Sequence, residues 1–276
     1  MKKSRPISDI GARRIADVAK KKQLSAARER YTQWMCDPNN VCHPMEENLQ
    51  KFTEEPNWRI FRIMAEFIEG FEFLDKFHGE VSIFGSTRVP VEDKNYREAK
   101  KLGKILAESG YTVITGGGPG IMEAANWGAY DAGGESVGLD IELPHEQRRN
   151  QYVTRSLGFH YFFTRKVMMS AAAQAYVFFP GGFGTLDELL EMTTLRQTDK
   201  IPKNVPIILV NKSYWEPFVQ WVRESLYKEN KYINKEDIDI LQIVDSAEDA
   251  LKIIKTTSER PYGSERNRLK GFKTSN

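Results

Sequence analysis

The sequence predicts an α/β protein in which a Rossmann-like, doubly wound parallel sheet follows a helical N-terminal extension. Three observations support this prediction. From about residue 79, short β-rich runs alternate with longer helical ones; glycine-rich or small-residue turns follow three of the predicted strands; and before residue 79 apolar residues recur at helical spacing. Strands separated by helices form right-handed βαβ crossovers, so their sheet is parallel and covered by helices on both faces.

Six strands and six helices are predicted between residues 79 and 256, which we interpret as one Rossmann-like domain. Their apolar runs have the lengths and periodicities typical of buried strands and of helices that cover a sheet. The strands are Val81–Phe84, Thr112–Thr115, Ser136–Ile141, Tyr176–Phe179, Ile207–Val210 and Ile240–Val244. The helices cover residues 94–109, 120–132, 163–174, 185–197, 215–228 and 246–255.

Residues 1–78 are predicted to form the helical extension, and residues 257–276 a basic C-terminal tail. No glycine occurs between Gly11 and Gly70. An apolar face recurs at helical spacing in Trp58, Ile60, Phe61, Met64, Phe67, Ile68, Phe71 and Leu74. This face must pack against the main domain or a partner subunit, and we expect a homodimer or a larger homo-oligomer.

The composition is that of an ordinary soluble globular protein, with 40% hydrophobic and 28% charged residues among 276. The net charge of +2 is too small to indicate a nucleic-acid partner. No apolar run reaches the roughly 20 residues that cross a bilayer, and the basic N-terminus lacks the apolar core of a secretory signal. We therefore expect a cytoplasmic protein without a membrane partner. Cys36, Cys42 and His43 are too few for zinc, which takes about four ligands, so no metal and no cofactor is predicted.

Three turns at the carboxyl ends of predicted strands indicate a ligand site: residues 84–88, 116–120 and 180–185. Ligands of open α/β sheets bind outside these ends, where glycine lets the backbone approach closely and helix N-termini attract anions. The candidate binding residues are Gly85, Ser86, Gly117, Gly118, Gly182, Phe183, Gly184 and Thr185. No Gly-Lys-Ser/Thr follows any turn, and the glycine spacing of the second turn disfavours a dinucleotide dehydrogenase.

Thr185 and Glu188 allow two interpretations. Because the two residues lie three positions apart on a helix, both side chains can face the crevice. The hydroxyl of Thr185 would then bind a phosphate oxygen. The same Thr-x-x-Glu spacing also fits a capping box with Thr185 as N-cap, and spacing alone leaves the two balanced. Upstream, Arg165 and Lys166 open a predicted buried helix, where two cations oppose the helix dipole. An anionic ligand would offset that cost.

The segments Gly116-Gly117-Gly118-Pro119-Gly120-Ile121-Met122-Glu123 and Pro180-Gly181-Gly182-Phe183-Gly184-Thr185-Leu186-Asp187-Glu188 together resemble the LONELY GUY (LOG) family. Its members are described as cytokinin riboside 5′-monophosphate phosphoribohydrolases, and relatives were formerly labelled "lysine decarboxylase-like". The resemblance covers about residues 79–230, and the long N-terminal region resembles the extended bacterial form. It implies that Arg165 and Glu188 are catalytic, and that Lys166, Gly182 to Thr185 and Thr194 bind the nucleotide. Glu146 resembles the glutamate of a Pro-x-Glu segment that also contributes.

The resemblance implies hydrolysis of the N-glycosidic bond of a nucleoside 5′-monophosphate, with AMP or a cytokinin-type nucleotide as the substrate. Glu188 would stabilise positive charge on the ribose and orient a water, and Arg165 would hold the substrate. One alternative is a nucleotide-binding regulator without catalysis. Another is the decarboxylase label, which requires pyridoxal phosphate on a lysine. Lys166 is the only lysine that we place in the crevice, and its neighbours suit a phosphate ester better.

Overall fold

The computed structural model describes residues 56–141, 149–171 and 173–257. The chain divides into two compact units, residues 1–61 and 62–276. Of the first unit only residues 56–61 are described, and they form the start of a helix. Residues 1–55 of the predicted extension and all but the first residue of the predicted tail lie outside the described residues, so the proposed domain boundaries stay a prediction.

Strands and helices alternate along the second unit. In chain order the elements are α1 (Pro56–Leu74), β1 (Glu80–Phe84), α2 (Lys94–Glu108), β2 (Thr112–Thr115), α3 (Ile121–Asp131), β3 (Ser136–Ile141), β4 (Arg155–Phe159), α4 (Phe162–Ala171), β5 (Ala175–Phe178), α5 (Phe183–Gln197), β6 (Ile207–Val210), α6 (Lys212–Trp221), a π-helix (Val222–Glu229), α7 (Lys235–Ile238), β7 (Leu241–Val244) and α8 (Ala247–Ile254). Among them no helix is long and apolar enough to cross a membrane.

The seven strands form one parallel sheet in the order β4-β3-β2-β1-β5-β6-β7. The chain builds outward from β1 to β4 on one side, then returns to the centre and builds outward from β5 to β7 on the other. Val81 of β1 is in register with Ala175 of β5. Because the strand order reverses between β1 and β5, the loops after these two strands diverge and leave a crevice at their carboxyl ends.

Apolar side chains cover the sheet on both faces. Along β5, Tyr176 and Phe178 belong to one core cluster, and Ala175 and Val177 belong to the other. The first cluster includes residues of α4, α5, α6 and the end of α1, and the second includes residues of α2, α3 and α8. A strand buried on both faces is continuously apolar, which is why these strands were predictable. The doubly wound α/β fold is therefore confirmed.

Several details differ from the prediction, among them the short helix α7, which was not predicted. Strand β4 was not predicted, because only Phe159 of its five residues is buried. Helix α5 begins at Phe183 rather than at residue 185. The helix predicted over 215–228 is divided into α6, which begins earlier and contains Pro217, and the π-helix that follows it. On α1, Leu74 is buried, whereas Ile68 remains exposed.

Candidate functional site

A cavity of about 650 Å³ opens at the carboxyl ends of β1, β2 and β5, where the strand order reverses. All three predicted turns contribute to its walls, together with residues of α4 and α5. The predicted residues that line it are Gly85, Ser86, Arg165, Gly182, Phe183, Gly184, Thr185 and Glu188. The structure thus brings together eight of the thirteen residues that the sequence nominated.

The N-terminus of α5 forms one wall. Gly182 is the N-cap residue and no side chain caps the helix, so the first N–H groups of the helix are available to a ligand. A Cβ atom built on Gly182 or Gly184 would meet nothing within 4 Å, and neither residue has a positive φ. Packing and backbone conformation therefore do not require glycine at these positions, and a bare backbone leaves room for a ligand.

In the loop before this helix, packing does require a glycine, at position 181. A side chain at Gly181 would collide with the side chain of Thr185, which is buried. The hydroxyl of Tyr214 on α6 donates to the carbonyl oxygen of Gly181 at 2.6 Å. These contacts position Thr185 and the start of α5 against the cavity.

Of the two interpretations of Thr185 and Glu188, the capping box with Thr185 as N-cap is not formed. Because α5 begins two residues earlier, Thr185 is the third residue of the helix and Gly182 takes the N-cap position. Glu188 is 8% exposed, and its Oε2 atom is buried without a hydrogen-bond partner among the described residues. A buried carboxylate oxygen without a partner is unfavourable for folding, and this one lies at the wall of the cavity.

Burial raises the pKa of the Glu188 carboxyl to about 7, although the positive charges of Lys166 and Arg165 act to lower it.

Arg165 projects from α4, and its Nε atom donates to the carbonyl oxygen of Leu139 at 2.8 Å. Burial lowers the pKa of this guanidinium, which still remains charged at neutral pH. A side chain at Gly116 would collide with it. The small residue on the β2 loop therefore allows Arg165 to reach the cavity.

Lys166 lies beside the cavity but does not line it. Its Nζ atom forms ion pairs with Asp187 at 2.8 Å and Glu191 at 2.9 Å, both on α5. Burial lowers the pKa of Lys166, but the hydrogen bonds to these two carboxylates and the charge of Glu188 outweigh it and raise the pKa above its usual range. The ammonium group therefore stays charged and joins α4 to α5.

Three other nominated residues that the structure describes do not line the cavity. The carbonyl oxygens of Gly117 and Gly118 accept from the side chain of Asn150 at 3.1 and 3.0 Å. The hydroxyl of Thr194, nearly two turns beyond Glu188, donates to the carbonyl oxygen of Leu190 at 2.8 Å. Glu146 lies outside the described residues.

Several cavity residues were missed by sequence reasoning. Arg88 and Thr87 are exposed on the loop after β1, and the Arg88 N–H donates to the Ser86 hydroxyl oxygen at 3.1 Å. The position of Arg88 directly after Gly85-Ser86-Thr87 was the feature of the sequence that could have indicated a cation at the cavity. An apolar wall is formed by Met122, Ile141, Phe162 and Met169. These four residues come from three different elements, so no spacing in the sequence reveals that they meet.

Metal ligands do not cluster in the part of the chain that the structure describes: no group of three or more His, Cys, Asp or Glu side chains could hold an ion there. Cys36, Cys42 and His43 lie outside it.

The parallel sheet and the cavity at its reversal point define a Rossmann-like α/β protein with a cavity at its strand ends. A family profile described as "Possible lysine decarboxylase" matches residues 122–254. The cytokinin riboside 5′-monophosphate phosphoribohydrolase LOG of Oryza sativa subsp. japonica is 32% identical over 134 residues, which cover 46% of this chain and 54% of the relative. The enzyme of that name from Mycobacterium marinum is 28% identical over 156 residues, covering 56% of this chain and 82% of the relative. Over these segments the chain is similar to proteins of the LONELY GUY family, the family that its two glycine motifs resemble.

A solved structure shares the fold. The molybdenum cofactor carrier protein MCP of Chlamydomonas reinhardtii aligns with a TM-score of 0.50, covering 64% of this chain and 96% of that chain at 18% identity. At this identity the likeness shows the fold alone. The match to the rice relative spans only about half of that protein's length, so the activity of the whole relative is not transferred to this chain by similarity.

Proposed function

We propose that this protein hydrolyses the N-glycosidic bond of a nucleoside 5′-monophosphate, AMP or a cytokinin-type nucleotide, and releases the free base and ribose 5-phosphate. The observation that carries the proposal is the buried, unpartnered carboxylate oxygen of Glu188. It lies on the wall of a cavity that also contains Arg165 and the uncapped start of α5. The relatives that bear the name phosphoribohydrolase support the same reaction.

The 5′-phosphate binds at the N-terminus of α5 in this proposal. Unpaired N–H groups and the helix dipole favour an anion there, and the open space at Gly182 and Gly184 admits it. Thr185 supplies a hydroxyl, and the exposed Arg88 lies on the facing loop. A phosphate held in this way positions the ribose, so binding energy from a remote group helps to orient the reacting bond.

Glu188 acts on the ribose. As the bond from C1′ to the base breaks, positive charge develops on the ribose, and an adjacent carboxylate stabilises it. Water adds to C1′ and one of its protons passes to the carboxylate. The base leaves with the electron pair of the broken bond and takes up that proton from the carboxyl group. A pKa of about 7 suits Glu188 to accept and return a proton near neutral pH. Arg165 binds the substrate beside it and lowers the pKa of the same carboxyl.

The decarboxylase reading is not favoured by Lys166. A Schiff base with pyridoxal phosphate forms on a neutral lysine. The two ion pairs of Lys166 and its raised pKa keep the ammonium charged. Purified protein should therefore lack pyridoxal absorbance.

The test is to incubate the full chain with a panel of purine and pyrimidine 5′-monophosphates and their matched nucleosides, and to separate the products by chromatography. We expect free base and ribose 5-phosphate from at least one monophosphate, and slower release from its nucleoside, which lacks the phosphate. Glu216→Gln is the matched control for Glu188→Gln, since Glu216 is an exposed carboxylate on α6 that does not line the cavity. Release of no base from any nucleotide would contradict the proposal. Saturable nucleotide binding without product would instead identify a nucleotide-binding regulator.

A further inference from the structure

Helix α1 precedes the segment that matches the family profile, and one of its carboxylates reaches α4. Glu66 accepts a hydrogen bond from the N–H of His160 at 2.9 Å and from the N–H of Tyr161 at 3.4 Å. Its Oε2 atom also lies 2.6 Å from the hydroxyl oxygen of Thr164. Three donors around the start of α4 therefore converge on one side chain that is distant in sequence.

The start of α4 needs an external carboxylate. The helix has no acidic residue in its first turn, and Arg165 and Lys166 place two positive charges near its positive end, where cations are unfavourable. A carboxylate at a helix N-terminus satisfies unpaired N–H groups and offsets the dipole. Glu66 supplies this charge from another element.

Close packing holds Glu66 in place. One turn further along α1, a Cβ atom on Gly70 would lie 2.5 Å from the sulfur of Met168 on α4. Leu74 of α1 and Met168 belong to the same buried cluster. Residues 62–74 and α4 are thus in direct apolar contact, and the position of Glu66 relative to α4 is determined by packing as well as by its own hydrogen bonds.

A backbone hydrogen bond connects the residues around Glu66 to Arg165 in the cavity wall. The N–H of Arg165 donates to the carbonyl oxygen of Tyr161 at 3.3 Å, so Arg165 lies one turn beyond the residue whose own N–H reaches Glu66. We infer that Glu66 is a positioning residue, which fixes the start of α4 and thereby places Arg165 against Glu188. The inference rests on the proposed function in so far as Arg165 binds substrate.

The first measurement does not require activity. Hydrogen exchange followed by mass spectrometry compares the wild type with Glu66→Gln and with Glu69→Gln, a matched control three residues along the same helix whose side chain is exposed. We expect faster exchange over residues 160–166 in E66Q only, because a glutamine has one acceptor oxygen where the carboxylate has two. Thr164→Val, which removes one of the three donors, should give a smaller change in the same segment. Unchanged exchange in E66Q would overturn the inference.

The second measurement separates positioning from a purely structural role. If the wild type releases base, E66Q should lower kcat/KM by about 10- to 100-fold, the range expected from a small misplacement of a binding group. The midpoint of its pH profile should also move upward, because a displaced Arg165 no longer lowers the pKa of Glu188. E69Q should match the wild type. Equal profiles for E66Q and E69Q would overturn the positioning role. Absence of base release from the wild type would overturn the proposed function instead, and the exchange comparison would then decide the inference.

Discussion

Glu188 combines three properties in one side chain: burial, an oxygen without a partner among the described residues, and a pKa raised to about 7. Burial outweighs the opposing charges of Lys166 and Arg165, and the nearby Asp187 and Glu191 add to it. If the ionised carboxylate is the reactive form, kcat/KM should rise with pH through a midpoint near 7. The phosphate of the nucleotide also titrates, with a second pKa of about 6. The contribution of the phosphate to the pH dependence is isolated by measuring the affinity of E188Q for AMP over the same pH range. A rate independent of pH between about 5.5 and 8.5 would contradict the role.

The same raised pKa makes a prediction about stability. The folded protein binds a proton at Glu188 more tightly than the unfolded chain does, since the ordinary value is 4.5. The stability that this group contributes is therefore complete below 4.5 and is lost as the pH rises through about 7. The loss is on the order of 3 kcal/mol. Urea titrations at about pH 5 and about pH 8 should show a smaller loss of unfolding free energy in E188Q than in the wild type or E216Q. An equal loss in all three proteins would contradict the burial argument.

At the scale of elements, the glycines around the start of α5 are of two kinds: Gly181 is required by packing, and Gly182 and Gly184 face open space at the cavity. Gly182→Ala and Gly184→Ala place a methyl group in open space at ordinary backbone angles. We expect Gly184→Ala, inside the helix, to fold with unchanged or slightly higher stability, since alanine at a compatible position is worth up to about 1 kcal/mol. Gly182→Ala should be slightly less stable, because alanine is less favourable than glycine at an N-cap. Both variants should bind AMP more weakly. Gly181→Ala is the matched contrast, because its methyl group collides with Thr185, and it should lower the melting temperature. Tight AMP binding by both cavity-facing variants would refute the phosphate site.

The elements of the fold were predictable where burial leaves a pattern. Strands Thr112–Thr115 and Ile207–Val210 are buried along their whole length. The second is a continuous apolar run, and the first consists entirely of β-branched residues, which favour strands. Strand β4 is an edge strand with one buried residue, so it leaves no such pattern. The start of α5 was misplaced because Gly182 and Gly184 resemble a turn, although Gly182 is an N-cap and Gly184 is already helical.

At the scale of the whole molecule, the site was predictable in its loops but not in its side-chain contacts. The three turns meet because the carboxyl ends of parallel strands lie at one edge of the sheet. Sequence alone does not show that Lys166 pairs with Asp187 and Glu191, or that Gly117 faces Asn150. Those contacts depend on how α4 and α5 pack and on a residue 33 positions away.

The quaternary structure is a further prediction at this scale. Met64 and Ile68 of α1 are 51% and 58% exposed, and an exposed apolar face is typical of an interface. We propose that a second copy of the chain covers it. Light scattering should give about twice 31.7 kDa, and Ile68→Lys should reduce that mass. The same substitution at Val91, an exposed apolar residue elsewhere, should not. A wild-type mass near 31.7 kDa would contradict the dimer.

Calorimetry and chromatography on the wild type and E188Q with AMP test whether Glu188 performs chemistry at a nucleotide site. The amide matches the size of the carboxylate but cannot stabilise positive charge on the ribose. We predict that both proteins bind AMP with similar affinity and that only the wild type releases adenine and ribose 5-phosphate. Release of adenine by E188Q at the wild-type rate would contradict the account.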